Sequence, residues 1–265
     1  MDTYTHGHHD SVVGHHAART VANSAAFLVP HLEAGARLLD IGCGPGSITV
    51  ELAELVAPGP VLGVDIVESV LDEGRRRALG AGCENVEFRQ GDIYALDEAG
   101  GSFDVVYAHQ VLQHLSDPVQ ALGEMRRLLA DGGIVAVRDA DYAAMAWAPR
   151  HPSLDRWMEL YRQVTARNGA EADAGRHLLG WLTAAGFAEI EISSSTWTYA
   201  EESSRRWWGE GWSRRATESA FAAQAIEYGL STAEELEEIS RTWQWWSTQP
   251  DGFFVVLHVE AIGRR

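Results

Sequence analysis

Three carboxylates and a run of glycines recur at intervals suited to holding a small ligand. The stretch LLDIGCGPGS places Asp40 just ahead of Gly42, Cys43, Gly44 and Gly46. Glycine lets the backbone approach a ligand closely and adopt positive φ, so this run reads as a ligand-cradling turn. Asp65 closes VLGVDI about twenty residues further on, where a carboxylate can accept both hydroxyls of a ribose. RQGDI then supplies Gly91, Asp92 and Ile93, with Asp92 placed to accept from an adenine amino group and Ile93 to lie against its ring. YAHQVLQHL contributes His109 and His114, and a neutral imidazole can take a proton from an acceptor atom.

The glycine spacing argues about the ligand. The dinucleotide fingerprint is G-x-G-x-x-G. Here the third glycine arrives one residue early, at Gly46, and Ser47 stands where the fingerprint needs glycine. Asp40 would also repel a pyrophosphate. A ligand with an amino-acid head and no phosphate fits better, and S-adenosylmethionine is one, with a cationic sulfonium and an ammonium group. A nicotinamide-dependent oxidoreductase and a cofactor binder without methyl transfer stand as alternatives.

A second cluster precedes any apolar core. THGHHDSVVGHH, from Thr5 to His16, holds five of the eleven histidines. Metal ligation from one helix face wants histidines three or four residues apart. His6, His8, His9, His15 and His16 make no neat set of that kind, and apart from Asp10 no cysteine or carboxylate joins them, so no metal site is expected. The segment reads as a lid that folds over the ligand, with a polar arm as the alternative. Tyr4 and His8 or His9 would then reach the acceptor, and Arg19 or Asn23 the carboxylate end of the cofactor. His109, His114, His8 and His9 are the catalytic candidates.

Positioning these residues requires strands that end beside one another. ARLLDIG, VLGVDI, NVEFRQGD, FDVVYAH and DGGIVAVRDA read as five strands, separated by amphipathic stretches. Asp117 or Ser116 can cap the helix that begins near Pro118. Alternating strands and helices imply a mostly parallel, doubly wound α/β sheet. AEIEISSS and FFVVLHV add two strands, which makes seven. The expectation is one domain: an N-terminal arm and helix over 1–35, a cofactor-binding core over 36–140, and a last strand over 251–265. Residues 141–174 and 200–250 are expected to form helical cap insertions.

Composition narrows the partners. The chain has 265 residues, 21 basic against 38 acidic, for a net charge of −17. That field repels phosphate backbones and anionic membranes, so neither nucleic acid nor membrane is an expected partner. Two cysteines build no disulfide framework and suit a cytoplasmic setting. No apolar leader and no run of membrane-spanning length is evident. Oligomeric state is not legible.

The four elements in order, glycine loop, Asp65, Asp92 and His109, resemble class I S-adenosylmethionine-dependent methyltransferases. The resemblance covers about 36–140. It is closest to the ubiquinone/menaquinone C-methyltransferases and small-molecule natural-product methyltransferases. It implies a Rossmann-like methyltransferase fold and a small-molecule acceptor. It further implies a cofactor site of Gly42, Gly44, Asp65, Ile66, Asp92, Ile93 and His109, to which Tyr4, Arg19, Asp40, Cys43 and Gly91 are added. HHAARTVANSAAFLVPHL is similar to the helix that precedes the core in this group. There is no Asn-Pro-Pro-Tyr or Asp-Pro-Pro-Tyr run after the fourth strand, so the acceptor is not expected to be a nucleic-acid or protein amide nitrogen.

All ten tryptophans follow Asp141. RRWWGEGW and TWQWW concentrate six of them, and Trp208 shares a helix face with Trp212, as does Trp243 with Trp246. They are expected to form mainly the core of the cap, with one or two facing an acceptor. Arg205, Arg206, Arg214 and Arg215 read as a solvated face, although one could meet an acidic acceptor. The acidic run of STAEELEEISRTW also reads as a solvated helix face.

Overall fold

A computed structural model of the protein describes residues 2–5 and 18–265. Its sheet is built on β1 (Leu38–Ile41), which lies parallel to β2 (Val61–Asp65) on one side and to β4 (Phe103–His109) on the other. β3 (Val86–Gln90) extends the sheet beyond β2, and β5 (Leu129–Ala140) extends it beyond β4, both parallel. β8 (Phe253–Arg264) pairs antiparallel with β5 and with β7 (Ala188–Tyr199).

Every residue of β1 is buried, as expected of a parallel strand covered on both faces. Its side chains alternate between two cores. Leu38 packs with Ile48, Leu52 and Val56 of α2 (Ser47–Val56). Leu39 and Ile41 pack with Leu122 and Met125 of α4 (Pro118–Leu128) and Leu178 and Leu182 of α6 (Leu178–Ala184). Between β2 and β3 runs α3 (Glu68–Ala81), which stops at Gly82 with φ 66°. Asp117 is the residue that caps α4, accepting from the Gln120 amide at 2.9 Å.

Two expectations change. The helix expected before the core is only one turn, α1 (Val21–Ser24), followed by a 3₁₀ turn (Val29–His31). Thr20 and Asn23 cap α1 reciprocally, and Pro30 lacks the amide a continuing helix needs. The sheet also has eight strands, not seven. After β5 the chain turns at Tyr142–Ala144 and re-enters as β6 (Ala146–Ala148), pairing with the front of β8. At three residues, β6 is too short to show a period in the sequence.

The two expected insertions pack on each other. α5 (Pro152–Arg167) comes from the first, and α7 (Glu202–Glu218), α8 (Ala220–Glu227) and α9 (Ala233–Ser247) from the second. They share an apolar core with Phe254 and Val256 of β8. Trp157 stands at its centre, edge-on to Trp212 at 4.6 Å and to Trp243 at 4.9 Å. Gly209 lets α7 and α9 close on each other, since a Cβ there would lie 2.6 Å from Ser247. The acidic face of α9 is not wholly solvated: Glu235 pairs with Arg156 at 2.8 Å and Glu238 accepts from Ser153 at 2.9 Å. Those two contacts tie α9 to α5.

Among the described residues, β7 pairs on one edge only, and most of its residues are exposed. Among the described residues, no helix is long and apolar enough to cross a membrane.

Trp157 is fully buried, and truncating it leaves a cavity that helices α5, α7 and α9 cannot collapse into. Trp157→Ala is expected to lower unfolding free energy by about 3–5 kcal/mol in urea titration. Trp157→Phe should cost clearly less.

Candidate functional site

A cavity of about 540 Å³ opens where β1, β2 and β4 end, and the cap roofs it. Its wall includes Tyr4, Arg19, Asp40, Gly42, Cys43, Gly44, Asp65, Ile66, Gly91, Asp92, Ile93 and His109. The sequence-expected cofactor residues therefore come from many segments but border one space. His114 borders it too. His6, His8, His9, His15 and His16 lie outside the described residues.

The glycine loop is pinned to the neighbouring strand. Gly42 and Cys43 both donate to the Val64 carbonyl, at 2.7 and 3.1 Å. Gly44 has φ 52°, and a Cβ there would meet nothing within 4 Å, so the backbone itself borders the space. The Gly44 amide donates to Asp65 Oδ2, and the Val67 amide to Asp65 Oδ1, each at 3.0 Å. The Asp65 carboxylate is thus aimed before any ligand arrives. Asp92 accepts from the Tyr94 amide at 3.0 Å. Ile93 is buried and Ile66 is exposed, which offers an apolar edge beside the two carboxylates.

Asp40 is buried below the loop and accepts from Thr49 Oγ1 at 2.6 Å. Burial pushes its carboxyl up to about 7, the Thr49 bond opposing and Asp65 reinforcing that rise. A cationic ligand group in the cavity favours the ionised form.

Residues 2–5 cross from the core to the cap. Asp2 accepts from Tyr94 at 2.8 Å and from Ser116 at 2.6 Å. Thr5 accepts from Asn168 at 3.0 Å, and the Tyr4 carbonyl accepts from Gln224 of α8 at 3.4 Å. The Tyr4 ring meets His114 edge-on, 4.7 Å between centroids. Burial pushes the Tyr4 hydroxyl up to about 12. Burial, with Arg19 adding, brings His114 down to about 3, so its imidazole is neutral and weakly basic at ordinary pH.

Arg19 donates to Gln110 Oε1, and its guanidinium lies over Trp197 at 5.7 Å. Gln110 Nε2 donates in turn to His258 Nε2 at 2.7 Å. Gln110 holds φ 53°, a left-handed conformation that side-chain-bearing residues rarely adopt. Behind it, fully buried Arg138 pairs with Glu260 at 3.2 Å and bonds Ser195 at 3.0 Å. Its guanidinium covers the Trp197 ring at 5.0 Å. Burial, Arg138 and Arg19 together keep His258 neutral. The His109 ring sits 5.7 Å from Trp197 and 6.1 Å from His258, at the floor of the cavity.

Several of these residues carried no signal in the sequence. Gln110, Arg138, His258 and Glu260 are brought together by strand register, with Arg138 opposite both His109 and Glu260. The arginines of α7 did carry one. Arg206 and Arg214 are exposed and pair with Glu202 and Glu218, as a solvated face would. Arg205 and Arg215 are buried instead. Arg215 falls on the helix face of Trp208 and Trp212 and lines the cavity with them and with Trp207. Trp243 and Trp246 are cap core, while Trp245 is partly exposed beside His151.

Residues 32–202 match a family model described as a methyltransferase domain. An uncharacterized methyltransferase of Schizosaccharomyces pombe is 32% identical, over 99% of this chain and 96% of that protein. A ubiquinone biosynthesis O-methyltransferase of a Ruegeria strain is 40% identical over 101 residues, 38% of this chain and 40% of that protein. Among solved structures, the YcgJ protein of Bacillus subtilis has a TM-score of 0.59 at 20% identity, covering 95% of this chain and 98% of that one; this likeness is one of fold.

The Tyr94 hydroxyl is the hinge of the N-terminal crossing, donating to Asp2 while accepting from the Asp117 amide at 3.1 Å. Tyr94→Phe is expected to cost about 0.5–1.5 kcal/mol of global stability. Hydrogen exchange read by mass spectrometry should accelerate more at residues 2–5 than in β1.

Proposed function

Because the chain belongs to the methyltransferase domain family, we propose that it moves a methyl group from S-adenosylmethionine to a small-molecule acceptor. The observation that carries this reading is the Asp65 carboxylate, fixed by the Gly44 and Val67 amides at the tip of β2. Such a carboxylate suits a ribose diol. Asp92 and the Ile66–Ile93 edge suit an adenine, and Arg19, within reach of the same space, suits a carboxylate. The loop offers close backbone approach without the phosphate-binding spacing of a dinucleotide fold. These features fit the donor's parts one by one.

When bound, S-adenosylmethionine supplies a methyl group already activated on a sulfonium. What the chain adds is orientation and exclusion of water. Residues 2–5 and the aromatic cap cover the cavity, which would keep water from a bound sulfonium and hold an acceptor beside it. S-adenosylhomocysteine is the second product. With its imidazole pushed down to about 3, His114 serves as a hydrogen-bond acceptor and packing surface for Tyr4 and not as a general base. Among the described histidines, His109, which lines the cavity beside Trp197, is the one we assign to the acceptor.

Isothermal titration with S-adenosylhomocysteine and with NAD and NADP tests the reading. Binding of the homocysteine compound is expected, and Asp65→Ala should weaken it about 10- to 100-fold. Binding of a nicotinamide dinucleotide without the homocysteine compound overturns the proposal, as does an unchanged affinity in Asp65→Ala. Firm donor binding without transfer to any of a panel of phenols, amines, quinols and carboxylates would favour a binder over an enzyme.

Asp40 adds a pH dependence. Its carboxyl holds a proton below about pH 7 in the free protein, and a cationic ligand stabilises the ionised form. Affinity for S-adenosylmethionine is therefore expected to rise about tenfold between about pH 6 and pH 8, with proton release on binding. Asp40→Asn should flatten that rise.

A further inference from the structure

The charges that line the cavity are sorted by origin. Among the described residues, its carboxylates are Asp2, Asp40, Asp65 and Asp92, which come from the N-terminal crossing and from the ends of β1, β2 and β3. Among the described lining residues, the cap and β7 contribute no carboxylate. They contribute aromatic rings, Met145, two threonines and one cation, Arg215.

Arg215 is only 5% exposed, yet it forms part of the wall. Its guanidinium lies 5.0 Å over the Trp212 ring. Around it are the phenols of Tyr4, Tyr142, Tyr161 and Tyr199. Arg214, one residue earlier, already provides the surface ion pair. A charge moved out of water and into an aromatic wall is costly, and an anion that enters the cavity recovers part of that cost. The low dielectric that makes burial costly also strengthens the pair.

We propose that Arg215 is the specificity-determining residue for the methyl acceptor, anchoring the carboxylate of a planar acidic compound against the tryptophan wall of the cap. The proposal rests on the methyltransferase reading and names its acceptor class. A guanidinium presents several N–H donors in a fixed fork, and a carboxylate needs one edge of it. Hydrogen bonds that other edges make within the chain are compatible with this role. The planar preference comes from the walls: Tyr199 stacks on Trp208 at 4.3 Å with 11° between planes, and Trp207 adjoins them. Aromatic walls alone would equally suit an ammonium group. Arg215 is the cation that the described cap residues present to this half of the cavity, which favours an anionic group there over a cationic one.

The test uses the full chain loaded with S-adenosylhomocysteine. It is titrated with 3,4-dihydroxybenzoate, the neutral 3,4-dihydroxybenzamide and the cationic 3,4-dihydroxybenzylamine, and read by fluorescence of the wall tryptophans. The acid is expected to bind about tenfold or more tightly than either analogue. Arg215→Met and Arg215→Gln should abolish that preference, and Arg215→Lys, which keeps the charge and loses the fork, should retain a fraction of it. All three should bind S-adenosylhomocysteine as the parent does, and reading three substitutions guards against a folding defect in one. Equal or weaker binding of the acid by the parent protein overturns the proposal, as does no saturable binding of it, or a preference that survives Arg215→Met. If the parent fails to bind S-adenosylhomocysteine, the methyltransferase reading falls instead.

Discussion

Strand β8 is the constraint on which the rest of the molecule depends. Phe254 and Val256, near its start, belong to the core of the cap. His258 and Glu260, in its middle, belong to the buried polar network behind the cavity. Ala261 and Ile262, near its end, belong to the two cores on either face of the sheet. One extended strand therefore joins the cap core to the cores on both faces of the sheet. Both of its edges are paired, by β5 and β6 on one side and by β7 on the other. The cap cannot shift as a unit relative to the glycine loop without breaking that ladder.

The rigidity gives the cavity its electrical character. Polar groups aimed at the space are held by backbone amides or by buried partners: Asp65 by two amides, Asp40 by Thr49, Arg19 by Gln110. Preorganised groups of this kind need little rearrangement when a ligand enters. Acidic groups gather at the sheet end and a cation faces from the cap, so the two halves prefer ligand parts of opposite charge. Gln110 marks the seam. Its left-handed backbone is held by a bond from its amide to the Arg138 carbonyl at 2.7 Å, while its side chain joins Arg19 to His258.

Much of the cavity's sheet-end wall was legible because its chemistry is local. The glycines, Asp65 and Asp92 each follow a strand whose apolar run can be counted, and parallel pairing brings the strand ends together. The cap was legible as helical and tryptophan-rich, yet its inward face was not separable from its core. Trp212 shows why: it packs on Trp157 and also borders the cavity. Arg138 and Glu260 lie 122 positions apart and meet only through antiparallel register. Arg215 was visible in principle, since spacing puts it on the face of Trp208 and Trp212, but charge argued for the surface. The one-turn α1 and the three-residue β6 are too short for any period to announce them.

The outer edge of β7 has a different consequence. A twelve-residue strand paired on one side presents a row of amides and carbonyls to which another chain could add. The sequence works against that. Glu189 takes φ 47° where the register with β8 slips, which bends the strand, and Glu191 and a run of serines and threonines replace the branched apolar residues that favour stacking. Pairing between edges is thus disfavoured by Glu189, Glu191 and the serines, and exchanging Ser193 and Ser194 for valine or isoleucine would make the edge a better template for another strand.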